Sequence, residues 1–255
     1  MRRALFTSAL AATLVALPGA VATAGTLIGT DGSERLEGTP SPDQIYGEVG
    51  DDVLVGLAGN DYLEAGPGND QIDGGGGLDL AIGGTGEDHV DGGIGDDVVY
   101  AGPGNDLVLG GQGADTLFGQ DGSDRLFGGS GRDRIYASLG ADVVDAGSDD
   151  DTVYADGAGI TILVGAGDDT VSASGGPTTV EGGGGSDRIR TGAGNDHVSG
   201  GPGADSVATG AGDDQIEAAD GRRDRIRCGP GSDSVAADRI DLLKGCENVT
   251  PPPPR

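Results

Sequence analysis

The chain has 255 residues, of which 54 are glycine and 12 proline, and its 43 acidic side chains against 15 basic ones give a net charge of −28. Nucleic acid is thereby excluded as a natural partner, since its phosphates demand clustered Lys and Arg; the acidity suits divalent cations. So much glycine and proline would indicate a disordered low-complexity chain if it were aperiodic, but a strict period overrides that prior.

Residues 1–24 read as an export signal: Arg2 and Arg3, a largely apolar stretch from Ala4 to Leu17, the breakers Pro18 and Gly19, then Ala22-Thr23-Ala24 as a small-residue cleavage site. The alternative, an uncleaved anchor, is weaker because the stretch falls short of the roughly 20 apolar residues a span needs. The mature chain is expected to begin near Gly25, to be secreted to the extracellular space and to keep no membrane span.

From Gly29 to Glu217 run twenty-one nine-residue units without an insertion or deletion, most on the pattern Gly-Gly-x-Gly-x-Asp-x-(Leu/Ile/Val)-x, as in Gly110 to Phe118. The sixth position is Asp in 18 units and the eighth is Leu, Ile or Val in 20, Ala81 being the exception. Glycines at positions 1, 2 and 4 permit positive φ and close backbone approach, and Asp at position 6 ends the turn. The last three residues then form a strand, with position 8 facing opposite to positions 7 and 9.

A three-residue strand has no core of its own, so the units must stack. Two units per coil give an 18-residue period and two parallel sheets whose position-8 side chains meet inside, Ile45, Leu63 and Ala81 through Val207 on one sheet, Leu36, Leu54 and Ile72 through Ile216 on the other. The predicted fold is all-β, a right-handed parallel β-roll with a small disulfide-clamped C-terminal cap. Its organisation is signal 1–24, repeats 25–217, last repeats and cap 218–249, and Pro-rich tail 250–255.

Within the roll, position 9 of one sheet reads Tyr100, Phe118, Tyr136 and Tyr154 on four successive coils, an outward ladder beside Leu80, Ile82 and Val98. It either stabilises the sheet by cross-strand stacking or offers an apolar strip to a cell-surface or polysaccharide ligand. Farther on, Ile160 and Thr178 replace Asp at position 6 of adjacent coils, predicting a notch flanked by Ala158, Ile162, Thr179 and Val180, metal-poor if position-6 carboxylates are what hold divalent cations; it is either tolerated drift or a hinge or docking point. His89 and His197 lie six coils apart at position 7 and are expected to be ordinary surface residues. No nucleophile elbow or His-Glu-x-x-His motif occurs, so no catalytic residues are assigned and the chain is expected not to be an enzyme. An ice-binding roll would want a file of Thr or Asn, yet position 3 is Thr only at Thr85.

Beyond Glu217 the register slips by one residue, placing Asp224 and Ile226 one step late, and Cys228 to Ala236 makes a last unit. Cys228 and Cys246 are the two cysteines, with no third Cys or nearby His to make a metal site, so an oxidising destination favours a disulfide over free thiols. Closing that loop would stabilise the fold by ~3 kcal/mol in the chain-entropy model.

With these units the chain resembles the RTX family of hemolysin-type calcium-binding repeats over roughly 190 to 210 residues, and its end, Cys228-Gly229-Pro230-Gly231-Ser232-Asp233 with Cys246-Glu247-Asn248-Val249, resembles the tails of exported repeat proteins of actinobacteria. The family's usual export by a C-terminal signal does not match the N-terminal signal here. The resemblance implies Ca²⁺ between successive coils, held by backbone carbonyls and position-6 carboxylates: Asp43, Asp52, Asp61, Asp70, Asp79, Asp88, Asp97, Asp106, Asp115, Asp124, Asp133, Asp142, Asp151, Asp169, Asp187, Asp196, Asp205 and Asp214. Calcium takes six to eight hard oxygen ligands, which such turns supply. Without it, like charges about 4.8 Å apart repel by about 0.9 kcal/mol per pair even in water. Pairing successive Asp along each file gives about 15 ions, and the metal-free chain is expected to be largely disordered until calcium folds it.

Overall fold

A computed structural model describes residues 25–251; the expected export signal and the end of the Pro-rich tail lie outside the described residues. Twenty-six strands, numbered in chain order from β1 (Thr26–Ile28) to β26 (Asn248–Thr250), form two 13-stranded parallel sheets. Odd-numbered strands make sheet A and even-numbered strands sheet B, each strand pairing with the one a full coil away. Leu117 pairs with Val99 on one side and Ile135 on the other, a step of 18 residues in each direction. This is the β-roll that the doubled nonapeptide predicts, with no helix among the described residues.

The core follows from position 8. Ile45, Leu63, Val99, Leu117 and Ile135 from sheet A and Leu54, Val90, Val108, Leu126 and Val144 from sheet B are fully buried in one continuous cluster. Turn chemistry extends over fewer residues than predicted. In β5 (Tyr62–Pro67), β7 (Leu80–Thr85) and β10 (Leu107–Gln112) the strand continues through positions 1 to 3 of the next unit, and Gly111 pairs with Gly129. The sharp bend in these coils is left to positions 4 to 6.

Position 4 shows why glycine recurs. At Gly122, where φ is +146°, a Cβ would stand 1.4 Å from the Gly104 carbonyl oxygen of the preceding coil. At position 3 the chain faces outward, and a Cβ on Gly184 would meet nothing within 4 Å. Gly122→Ala is therefore expected to break coil stacking and lower the melting temperature by many degrees, whereas Gly184→Ala stays within about 0.5 kcal/mol of the parent protein. Thermal melts of the two folded variants check this; equal melts would remove the steric explanation.

At the interruption the expected notch is filled. Ile160 and Thr178 are 1% and 3% exposed and pair with each other, as the first residues of β16 (Ile160–Leu163) and β18 (Thr178–Glu181). Lacking a carboxylate to turn inward, position 6 joins the strand and Ile160 joins the core.

The aromatic ladder stacks face to face. Ring centroids of Tyr100, Phe118, Tyr136 and Tyr154 lie 4.6, 4.7 and 5.1 Å apart with interplanar angles of 3°, 8° and 14°. Each inner ring therefore has both faces covered by its neighbours and presents only an edge outward.

Past Glu217 both ladders continue. Val207 pairs with Ile226 across 19 residues, and the final coil tightens so that Ile226 pairs with Leu243 and Val235 with Val249. The segment 218–249 thus carries the last rungs of both sheets, and Thr250, expected in the tail, closes β26. The disulfide Cys228–Cys246 is formed, with Cα atoms 5.2 Å apart.

Candidate metal centre

Position-6 carboxylates line the inside of both turn edges. All eighteen expected aspartates are buried, none more than 3% exposed. One oxygen of each is used structurally: the Asp97 N–H donates to Asp115 Oδ1 at 2.8 Å, and the Asp115 N–H donates to Asp133 Oδ1 at 2.8 Å. The other oxygen has no partner. Oδ2 of every expected aspartate except Asp43, and of Asp224 as well, is buried without a hydrogen bond. These atoms point into the turn, where a Cβ on Gly110 would lie 2.6 Å from Asp115 Oδ2 and one on Gly128 2.5 Å from Asp133 Oδ2.

A buried anionic oxygen with no partner is costly, and the carboxyls respond by holding their protons. Burial pushes Asp79, Asp106, Asp115 and Asp205 up to about 7 and Asp151 up to about 8, against the pull of the N–H one coil earlier and with help from neighbouring carboxylates. Asp70, Asp124, Asp133, Asp169, Asp187 and Asp224 rise to about 6, again mainly by burial.

Among the described residues no three carboxylate, imidazole or thiol groups converge on one point. Side chains alone therefore make no complete site, and an ion held between the coils would need main-chain oxygens as well. Among the described residues no N–H donates to the carbonyls of Gly86, Gly104 or Gly122, all at position 4. The donor set is purely oxygen, which fits calcium and leaves nothing for a metal that prefers nitrogen or sulfur. His89 is exposed and His197 half-buried, in coils far apart.

Asp43 departs from its counterparts. Thr39 donates to its Oδ2 from both the main-chain N–H (2.5 Å) and the hydroxyl (2.9 Å), while the Gly25 N–H takes Oδ1. At the other end the files run farther than the nonapeptide register reveals. The Asp205 N–H donates to Asp224 Oδ1 and the Asp214 N–H to Asp233 Oδ1, at 2.8 and 3.0 Å, and the final coil adds Asp241 and Glu247 as acceptors from Asp224 and Asp233. A single inserted residue hides Asp224 and Asp233 from a strict nine-residue count, though Asp-x-Ile and Asp-x-Val beside them retain the local signature.

Position 5 carries a second ladder, of opposite polarity, that the motif does not announce. Oδ1 of Asp51, Asn69 and Asn105 accepts the position-5 N–H of the following coil at 2.9, 2.8 and 2.9 Å. Recurrent Asp, Asn and Ser at this position is its only mark in the sequence.

The model of the RTX calcium-binding nonapeptide repeat (4 copies) matches residues 28–63, 49–81, 82–117, 118–153, 161–180 and 181–216. The chain belongs to this RTX repeat family. The matched segments leave a gap at 154–160, which ends on Ile160, the first RTX position 6 to lose its carboxylate. No curated protein matches the chain. Among solved structures the chain is similar to a hyperactive, Ca²⁺-dependent, beta-helical antifreeze protein from an Antarctic bacterium, at 24% identity over 83% of each chain and a TM-score of 0.44.

Proposed function

We propose that the protein is a secreted, non-enzymatic calcium-binding β-roll whose coils are held in register by Ca²⁺ between successive position-6 carboxylates. The observation that carries this reading is the row of buried Oδ2 atoms without hydrogen-bond partners on both edges of the RTX roll. The residues that would hold the ions are the expected aspartates other than Asp43, together with Asp224, assisted by turn carbonyls. Bound calcium would supply positive charge between carboxylates that otherwise repel, and the folded chain contributes a solvent-shielded set of oxygen donors. Intervals between consecutive partnerless Oδ2 atoms again give about 15 ions, because the interval from Asp205 to Asp224 replaces the one from Asp43 to Asp61.

Secretion is supported by the export pattern of residues 1–24 and by the Cys228–Cys246 disulfide, which persists in an oxidising space. The aromatic ladder favours a structural role over glycan recognition, since its inner ring faces are closed by stacking.

Calcium counting on two variants tests the ligand assignment. Asp115→Asn, which weakens the intervals on both sides of it, is expected to remove about one to two ions per chain. Asp43→Asn is expected to remove none, because Thr39 already saturates that carboxylate. Equal losses from both, measured by equilibrium dialysis, would sink the assignment.

A further inference from the structure

Position 1 of the edge leading from sheet A to sheet B is Gly or Ala from Gly29 to Ala173, then becomes Thr191 and Thr209 in two successive coils. Both threonines are more than nine-tenths buried, at 7% and 6% exposed. Neither hydroxyl has a hydrogen-bond partner. A buried hydroxyl left unpaired forfeits the hydrogen bonds it made to water, and Ala, present at this position in Ala137, Ala155 and Ala173, would avoid that cost. Two such hydroxyls in adjacent coils therefore call for a ligand.

The direction of the position-1 side chain is given by the glycines of the same edge. A Cβ on Gly47 would stand 2.6 Å from Asp52 Oδ2 and one on Gly119 2.5 Å from Asp124 Oδ2. The corresponding carboxylates beside Thr191 and Thr209 are Asp196 and Asp214, whose Oδ2 atoms are also buried without partners. Each threonine shares a turn with its carboxylate, yet neither the hydroxyl nor Oδ2 bonds the other, which leaves both oxygens open to a shared ligand. That edge is also short of anionic oxygen here, because Thr178 stands where the coil before Asp196 would carry its Asp, and only its N–H reaches Asp196 Oδ1, at 2.9 Å.

We propose that Thr191 and Thr209 are calcium ligands, their hydroxyl oxygens joining Asp196 and Asp214 in sites where the file restarts after its interruption. The inference rests on the calcium reading of the RTX carboxylate files. A neutral hydroxyl oxygen adds a donor there without adding charge, and calcium accepts such mixed oxygen sets.

Isothermal titration of the purified protein with CaCl₂ compares the parent, Thr191→Ala/Thr209→Ala, Thr191→Val/Thr209→Val and Thr191→Ser/Thr209→Ser. The Ala pair restores the side chain this edge already uses, so its fold is secure, and the Val pair keeps the shape without the oxygen. Both are expected to lose their weakest one or two ions or to need about ten-fold more calcium to fill them, while the Ser pair matches the parent. Metal-free stability at acid pH is expected to be unchanged or raised in the Ala and Val pairs, because an unpaired hydroxyl has been removed. Calcium binding by the Ala and Val pairs equal to or tighter than the parent's would overturn the inference while leaving the file reading intact. A parent protein that takes up no calcium would overturn both.

Discussion

Stripped of calcium with EDTA at pH 7, the purified protein is expected to lose most of its far-ultraviolet β signal, and to regain it on return to millimolar Ca²⁺. The core is thin, with one principal inward aliphatic per nine residues and a large share of flexible glycine, so ordering the backbone is poorly offset by burial. Against it stand two files of buried carboxylates whose Oδ2 atoms have no partner. Ionised, each file repels itself along its length, and solvent exclusion makes this worse than the water value. Ligand binding to the folded state alone adds about 2.7 kcal/mol per site at a hundred-fold excess over Kd, so many sites acting together convert an unfavourable fold into a stable one. Circular dichroism with and without EDTA reads the effect directly. An unchanged spectrum at neutral pH would mean that the fold stands without metal.

Acidification of the metal-free chain is expected to act in the opposite sense from acidification of the calcium-loaded one. In EDTA, lowering the pH from 8 towards about 5 should restore β structure. Burial raises Asp79, Asp106, Asp115 and Asp205 to about 7 and Asp151 to about 8, from an ordinary value of 3.8. Over that window the folded state binds protons that the unfolded state has released. Its stabilisation is therefore fully present below about 4 and is lost as the pH rises through 6 to 8. With calcium bound the same oxygens must be deprotonated, so protons compete with the ion and stability falls as the pH drops. Melting temperatures against pH should therefore slope downward with rising pH in EDTA and upward in calcium. Parallel slopes would show that the files do not titrate as buried acids.

Much of this was readable from the chain alone. The 18-residue coil, the two parallel sheets and the two inward files, Ile45 to Val207 on one and Leu54 to Ile216 on the other, follow from period and alternation, because two turn-and-strand units make one coil and no slippage disturbs their stacking. That the position-6 aspartates form two files along the coil edges was readable for the same reason, and the cysteine pair from its isolation. What escaped depended on contacts between coils. Asp43 has the motif but not the free oxygen, since Thr39, four residues earlier, folds onto it. Asp224 and Asp233 rejoin the files only because parallel pairing absorbs one extra residue between β21 (Ser206–Ala208) and β23 (Arg225–Arg227). Ile160 and Thr178 read as a gap, yet they close it by entering the strand.

The sequence by itself determined the repeat length, the sheet count, the sign of the charge and the kind of oxygen donor offered. Only the tertiary structure decided how each carboxylate divides its work, Oδ1 to the preceding coil's N–H and Oδ2 left free inside the turn, and which side chains face that oxygen. The physical reason is distance along the chain. Periodicity is written within nine residues, whereas each candidate site is assembled from atoms 18 residues apart, whose pairing exists only once the coils have stacked.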